Sequence, residues 1–379
     1  MSNEASDRAG NEASGGDGRA RGGRARRPVV AVTGAAGAIG ARVTQHLAGR
    51  PEVKRVVAID AERPAGGDAR GTGVSWRIAD VRDPALASKL AGCDVVVHLA
   101  LELRLDAPAV ERRALNVRGT TVVLTAAAAA GVQRVVLVTS AMTYGARPDN
   151  PVPLRDDAPV QAEPDDSLLG DLVEIERLAR RARRVHPWLE VTVLRPAALV
   201  GPGVDSVITR HFEAPRLLVL KGSMPLWQFC HVDDLVTAIG LAALGAVTGS
   251  VNVACAGWLQ QEDVERLSGL RRIELPPAVA IATAERLHRV GVTPAAASEL
   301  ELLVHPWVVA TDRLAAAGWR PVHDNESALR ALLDDARKHT AVGARRLDRG
   351  DAARAAAGAT VALVGTAALV RRARRRRHG

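Results

Sequence analysis

From residue 29 onward, short β-branched apolar runs alternate with Ala-, Leu- and Arg-rich stretches whose hydrophobic positions recur at helical spacing. Such alternation is the signature of βαβ units that build a parallel sheet. Strands are predicted over residues 29–33, 55–60, 74–79, 94–99, 134–140 and 190–195. Helices are predicted over 39–47, 84–90, 109–130 and 167–185. A run such as Val135-Val136-Leu137-Val138 is apolar at every position, as a strand covered on both faces must be. Beyond Pro196 the regularity loosens into Pro- and Gly-rich turns, with helices expected over 232–244 and 261–267 and helical stretches to about 338. The expected architecture is an α/β, Rossmann-type doubly wound parallel sheet with a smaller C-terminal substrate lobe and disordered basic tails. Its expected parts are a tail over 1–28, a core over 29–196, a lobe over 197–338 interleaved with that core, and a second tail over 339–379.

Charge changes the picture only once it is located. The formal charge of +9 comprises +2 from residues 1–28 and +10 from residues 337–379, which leaves −3 on everything between. The basic character belongs to the tails, and no aromatic residues interleave their arginines, which argues against a specific nucleic-acid partner. Residues 355–370 carry no charge and are followed by six arginines. Sixteen helical residues would span roughly 24 Å, short of a bilayer's hydrocarbon core. A solvated tail, a peripheral contact with anionic lipid and a short spanning helix are the readings open for that stretch. Residues 1–28 lack the apolar core of a secretory signal, and the three cysteines show no metal or redox spacing, so a reducing cytoplasm is expected. His186, His211, His305 and His323 lack ligand spacing, and no metal is expected.

The chemistry begins directly after the first strand, where Thr33-Gly34-Ala35-Ala36-Gly37-Ala38-Ile39-Gly40 forms a T-G-x-x-G-x-x-G loop that opens a helix. Gly34 suits the tight turn, Gly37 admits a pyrophosphate close to the backbone, and Gly40 lets helix and strand pack closely. The N–H groups at the helix start, from Ala38 and Ile39 onward, face the phosphates. Asp60 lies twenty residues beyond Gly40 at the end of the second strand, where a carboxylate can accept from both ribose hydroxyls and repel a 2′-phosphate. NAD is therefore the expected cofactor, in preference to NADP.

Further motifs follow in order: Ala79-Asp80-Val81-Arg82-Asp83, His98-Leu99-Ala100, Asn116-Val117-x-Gly119-Thr120, Thr139-Ser140-Ala141-x-x-Tyr144-Gly145, Arg195-Pro196, Gly201-Pro202-Gly203 and His231-Val232-Asp233-Asp234. With the glycine loop, they make residues 29 to about 335 resemble the extended short-chain dehydrogenase/reductases, in particular the NAD-dependent epimerase/dehydratase family typified by UDP-glucose 4-epimerase. The resemblance implies that Asp80 and Val81 hold the adenine and that Leu99 and Ala100 line the cofactor. It further implies that Asn116 supports the active-site helix and that Ser140 is the catalytic serine. It also implies a small-molecule ligand of the nucleotide-sugar class, and a homodimer paired through the helices over 109–130 and 167–185.

This chain departs from the family pattern where the proton is handled. Family chemistry uses Tyr and Lys at i and i+4 on one helix face, the ammonium lowering the phenol pKa. Here the only tyrosine is Tyr144, with Pro148 four residues on, and the lysines are Lys54, Lys89, Lys221 and Lys338, so no Y-x-x-x-K exists. Aligned on Glu176-Arg177-Leu178, the two positions are Leu168 and Leu172. Asp171 or Glu174 could substitute as acid or base, although neither repeats the missing spacing. Ala198 stands where nucleotide-sugar epimerases commonly have Asn. Trp227-Gln228-Phe229-Cys230 replaces a segment that commonly supplies a diphosphate-binding Arg, leaving Trp227 to serve as core or to stack on another ligand. UDP-sugar epimerase activity is therefore not expected. Two readings stand: a family enzyme with nonstandard acid/base residues, or a non-catalytic NAD(H)-binding sensor or scaffold.

Overall fold

The six predicted strands form, and a seventh joins them. The computed structural model describes residues 26–64, 73–214, 216–223, 225–289, 297–337, 340–342 and 345–347. Strands β1 (Val29–Thr33), β2 (Arg55–Asp60), β3 (Val74–Ile78), β4 (Val95–His98), β5 (Arg134–Val138) and β6 (Glu190–Pro196) lie within a residue or two of expectation. They alternate with α1 (Ala38–Ala48), α2 (Leu86–Leu90), α3 (Ala109–Arg113), α4 (Gly119–Ala129) and α5 (Leu168–Val185). In the second half come β7 (Ala198–Val200), α6 (Val207–Glu213), β8 (Leu217–Leu220), β9 (Phe229–His231), α7 (Val232–Ala243) and β10 (Ser250–Val253). They are followed by α8 (Gln261–Ser268), β11 (Arg272–Leu275), α9 (Pro277–Arg289), α10 (Asp312–Ala316) and α11 (Asn325–Ala336).

The main sheet is parallel throughout, in the order β10-β6-β5-β4-β1-β2-β3. The order reverses between β1 and β4, and in open α/β sheets ligands bind in the crevice beyond the strand ends at such a reversal. Helices cover both faces. Val30 and Val32 of β1 belong to one apolar cluster, with Leu47 of α1 and Ile239 of α7. Val29 and Ala31 point into the other, with Leu90 of α2, Leu124 of α4 and Ile175 of α5. Two short parallel pairs, β7 with β9 and β8 with β11, build the lobe.

Three differences from expectation have physical causes. The seventh strand, Ser250–Val253, comes from the lobe half of the chain and pairs with Val193–Pro196. The helix expected over 109–130 is interrupted by a π-helical turn at Ala114–Arg118, within which Asn116 bonds Glu102 and Asp171. The helix expected to start at Ser167 uses that residue as its N-cap instead, Ser167 Oγ accepting from the Gly170 amide at 3.1 Å. Of residues 339–379, an antiparallel pair is described, β12 (Thr340–Val342) with β13 (Arg345–Leu347). The uncharged stretch 355–370, its arginine run and residues 1–25 lie outside the described residues. Among the described residues, no helix is long and apolar enough to cross a membrane.

Candidate active site

The glycine loop sits at the ends of β1 and β4, where the strand order reverses. Gly34 has φ +71°, and a Cβ there would lie 2.6 Å from the backbone of Leu99 and Ala100. A Cβ on Gly40 would lie 1.9 Å from the Gly34 carbonyl oxygen. Both glycines are thus required by backbone contact. Gly37 is the N-cap of α1 with no side-chain cap, so the first-turn amides of Ala38, Ile39 and Gly40 are left to an anionic ligand. Asp60 steadies this loop: its Oδ2 accepts from the Ala36 amide at 2.9 Å and its Oδ1 from the Ala61 amide at 2.8 Å. Each carboxylate oxygen keeps a second lone pair for a ribose hydroxyl. A cradle cleared of side chains, an uncapped helix start and a carboxylate beside it fit a dinucleotide.

The remaining predicted cofactor residues follow β3 (Asp80 and Val81), follow β4 (Leu99 and Ala100) or lie in the π-helical turn (Asn116). Asp80 follows β3 and accepts from the Arg82 backbone amide and guanidinium at 2.8 and 2.9 Å, bonds that hold its carboxyl below the usual range. Val81 is buried against Gly119, where a Cβ would meet it at 3.1 Å. Asn116 is fully buried; its Oδ1 accepts from the Glu102 amide, and its Nδ2 donates to the Glu102 carbonyl and to Asp171 Oδ2 at 3.2 Å. It therefore ties the segment after β4 to α5. His98 bridges β1 and α4, 2.7 Å from Thr33 Oγ1 and 3.1 Å from Thr120 Oγ1.

Burial pushes His98 down to about 4. Between that value and the ordinary 6.5 the unfolded chain binds the proton and the folded chain does not, so stability rises with pH across this window. His98 is expected to contribute fully above pH 6.5 and to withdraw about 3 kcal/mol as pH falls to 4. Thermal melts across that range check this. His98→Gln should flatten the slope only in part, because buried His211 is also lowered to about 4.

Beyond Ile39 and Leu99 lies a cavity of about 130 Å³. Ser140, Leu168 and Leu172 all line it, so the structure brings together the three positions that the sequence assigned to the family's serine, tyrosine and lysine. Ser140 Oγ accepts from the Met142 amide at 3.1 Å. Neither acidic substitute lines the cavity. Asp171 is fully buried and bound to Arg112 at 2.9 Å, while Glu174 pairs with Arg177 at 3.4 Å. Tyr144 is buried elsewhere, its hydroxyl donating to Asn252 Oδ1 and accepting from Arg195, each at 2.8 Å, and burial raises its pKa. None of Lys54, Lys89 and Lys221 lines the cavity.

Three further features were not singled out from the sequence or were left open by it. Leu101, Leu103 and Leu105 alternate with Glu102 and Arg104 after β4, and all three line the cavity with Leu99. Their period of two was the available signal. Trp227 resolves as core: it is buried, stacks on His211 at 5.5 Å, and donates from Nε1 to Gln261 at 2.7 Å. His323, read as an isolated histidine, stacks on His231 at 3.8 Å, and their nitrogens lie within 4.8 Å of an Asp233 oxygen. Those groups are engaged, Asp233 by Arg42 at 2.7 Å and His323 by Asp234 at 3.0 Å.

Comparison with known proteins agrees with this geometry. The chain is 31% identical over 254 residues to an uncharacterized protein of Mycobacterium tuberculosis, covering 65% of this chain and 67% of that one. It is 29% identical over 319 residues to a 3-diazoavenalumate denitrifying reductase of a Streptomyces species, covering 78% and 96%. In fold it matches the dTDP-glucose 4,6-dehydratase DesIV of Streptomyces venezuelae, solved with NAD bound. There the TM-score is 0.60 and the identity 22%, covering 82% of this chain and 97% of that one. Residues 30–254 match the model described as the NAD dependent epimerase/dehydratase family, and the chain belongs to that family.

Proposed function

We propose that this protein binds NAD(H) at the glycine loop and does not interconvert UDP-sugars, because leucines stand where the family's proton relay would be. The observation that carries the reading is the cavity that joins Ser140 to Leu168 and Leu172. A bound nicotinamide supplies hydride transfer, and a tyrosine with its lysine normally handles the accompanying proton. Aliphatic side chains cannot accept or return a proton, and the one carboxylate lining the cavity among the described residues, Asp205, is bound to Arg210 at 2.6 Å. Relatives do not decide the reaction: besides the reductase, a dTDP-glucose 4,6-dehydratase of Streptomyces antibioticus is 30% identical over 246 residues. A non-catalytic sensor or scaffold is the second reading, favoured by the burial of Asp171 away from the cavity.

Calorimetry is expected to show NAD binding at low-micromolar Kd or tighter, with NADP weaker by ten-fold or more and the difference reduced in Asp60→Asn. No heat with 1 mM NAD would overturn the cofactor assignment. Incubated with UDP-glucose, the protein is expected to give no UDP-galactose; turnover of order 1 s⁻¹, the low end of ordinary enzyme rates, would overturn the rest.

A further inference from the structure

The cavity beside the glycine loop also carries information about its ligand. We infer that it receives an uncharged, carbon-rich small molecule bearing one carbonyl or hydroxyl group, and not a nucleotide diphosphate. This rests on the reading that the same site binds NAD(H), and it names the second ligand.

The walls are aliphatic. Leu101, Leu103 and Leu105 come from the extended segment after β4, and Leu168, Leu169 and Leu172 from the first turns of α5. The two sets are fastened to each other by Asn116, which bonds Glu102 between the first leucines and Asp171 between the last. The leucine walls are thus held in place by polar contacts that point away from the cavity. Four lining residues are polar, and three of them are committed. Thr139 donates to Glu176 at 2.9 Å, Ser206 caps α6 by accepting from the Thr209 amide, and Asp205 is bound at 2.6 Å to the buried Arg210 guanidinium. Ser140 accepts from Met142 and retains its hydroxyl hydrogen, which makes it the donor best placed for a ligand oxygen.

Among the described residues no lysine, arginine or histidine lines the cavity, and the one ionisable lining group is a carboxylate. A diphosphate brought here would lose water and gain no cation, which is prohibitive in an aliphatic setting. At the position where nucleotide-sugar epimerases commonly have a phosphate-binding arginine, Trp227 is packed in the core. An apolar ligand meets the opposite balance: its surface is removed from water against leucine, and one acceptor atom suffices to orient it on Ser140.

The test uses prodan, an uncharged naphthalene ketone whose emission shifts to the blue in apolar surroundings, with the full chain and NAD present. Saturable blue-shifted emission with a micromolar Kd, unaffected by 1 mM UDP-glucose, is the expected result. Leu103→Glu, which places a charge on the wall, should weaken prodan at least ten-fold while NAD affinity measured by calorimetry changes less than two-fold. Should that variant melt early, Leu103→Gln gives the same comparison without a charge. Displacement of prodan by UDP-glucose, unchanged prodan affinity in the wall variants, or no saturable binding would each overturn the inference. Prodan binding without NAD binding would support the ligand class and count against the cofactor reading alone.

Discussion

Gly40→Ala is expected to abolish dinucleotide binding and to remove about 3 kcal/mol of stability, the upper end of ordinary overpacking costs. The new methyl would lie 1.9 Å from the Gly34 carbonyl oxygen, 2.7 Å from its carbon and 3.0 Å from the Ala35 Cα. All three neighbours are backbone, so no rotamer change relieves the clash; either the turn or the first turn of α1 must move. Gly34 has little room on its other side, where even a Cβ would lie 2.6 Å from the backbone of Leu99 and Ala100. Calorimetry should register at least a hundred-fold loss of NAD affinity, and melts a drop of about 6–12 °C at the usual 2–4 °C per kcal/mol. Gly49→Ala is the control: it sits at the other end of the same helix at φ −78°, its nearest atoms would be 3.5 Å away, and it should bind NAD normally. Normal binding by Gly40→Ala would show that the loop is not the site.

The second large effect is expected from Glu176→Ala. Glu176 receives Arg195 through both carboxylate oxygens at 2.8 Å, and Thr139 at 2.9 Å. Both partners of this ion pair are almost wholly shielded, at 5% and 1% side-chain exposure. Deleting the carboxylate leaves a guanidinium in the interior with only the Tyr144 hydroxyl and the Asp156 carbonyl to solvate it. Breaking one side of a buried pair costs about 3–5 kcal/mol, so the melting temperature should fall by about 6–20 °C. Replacing both charges, as in Glu176→Leu with Arg195→Met, should recover much of that loss, since the penalty lies in the abandoned charge. A double variant as unstable as the single one would instead place the penalty in lost packing.

Much of this was legible in the chain. Val29–Thr33 and Arg55–Asp60 read as strands because apolar runs between turn residues have few other uses, and they formed to the residue. Leu168 and Leu172, singled out by alignment on Glu176-Arg177-Leu178, both line the cavity, as residues four apart on one helix face can. Ser250–Val253 escaped notice because four residues with an asparagine among them carry little local signal. The strand is specified by its partner β6 and by Tyr144, which satisfies the buried Asn252 side chain. The π turn escaped for a related reason: apolar periodicity runs on through 114–118, and the slip in hydrogen bonding is rewarded only by Glu102 and Asp171, distant partners in the fold. The leucines at 101, 103 and 105 show a strand's rhythm outside any strand, where periodicity alone does not reveal what they face.

That late-arriving β10 also governs how the polypeptide can be dissected. It is laid alongside β6, and Asn252 accepts from Tyr144 and takes the Asp156 carboxylate on its amide. A fragment ending at Pro196 would contain every cofactor-binding residue considered above, yet β6 would become an open edge with unpaired amides, a template for self-association. The gene for this protein is therefore poorly suited to being split between its halves, and any fusion or reporter is better inserted elsewhere.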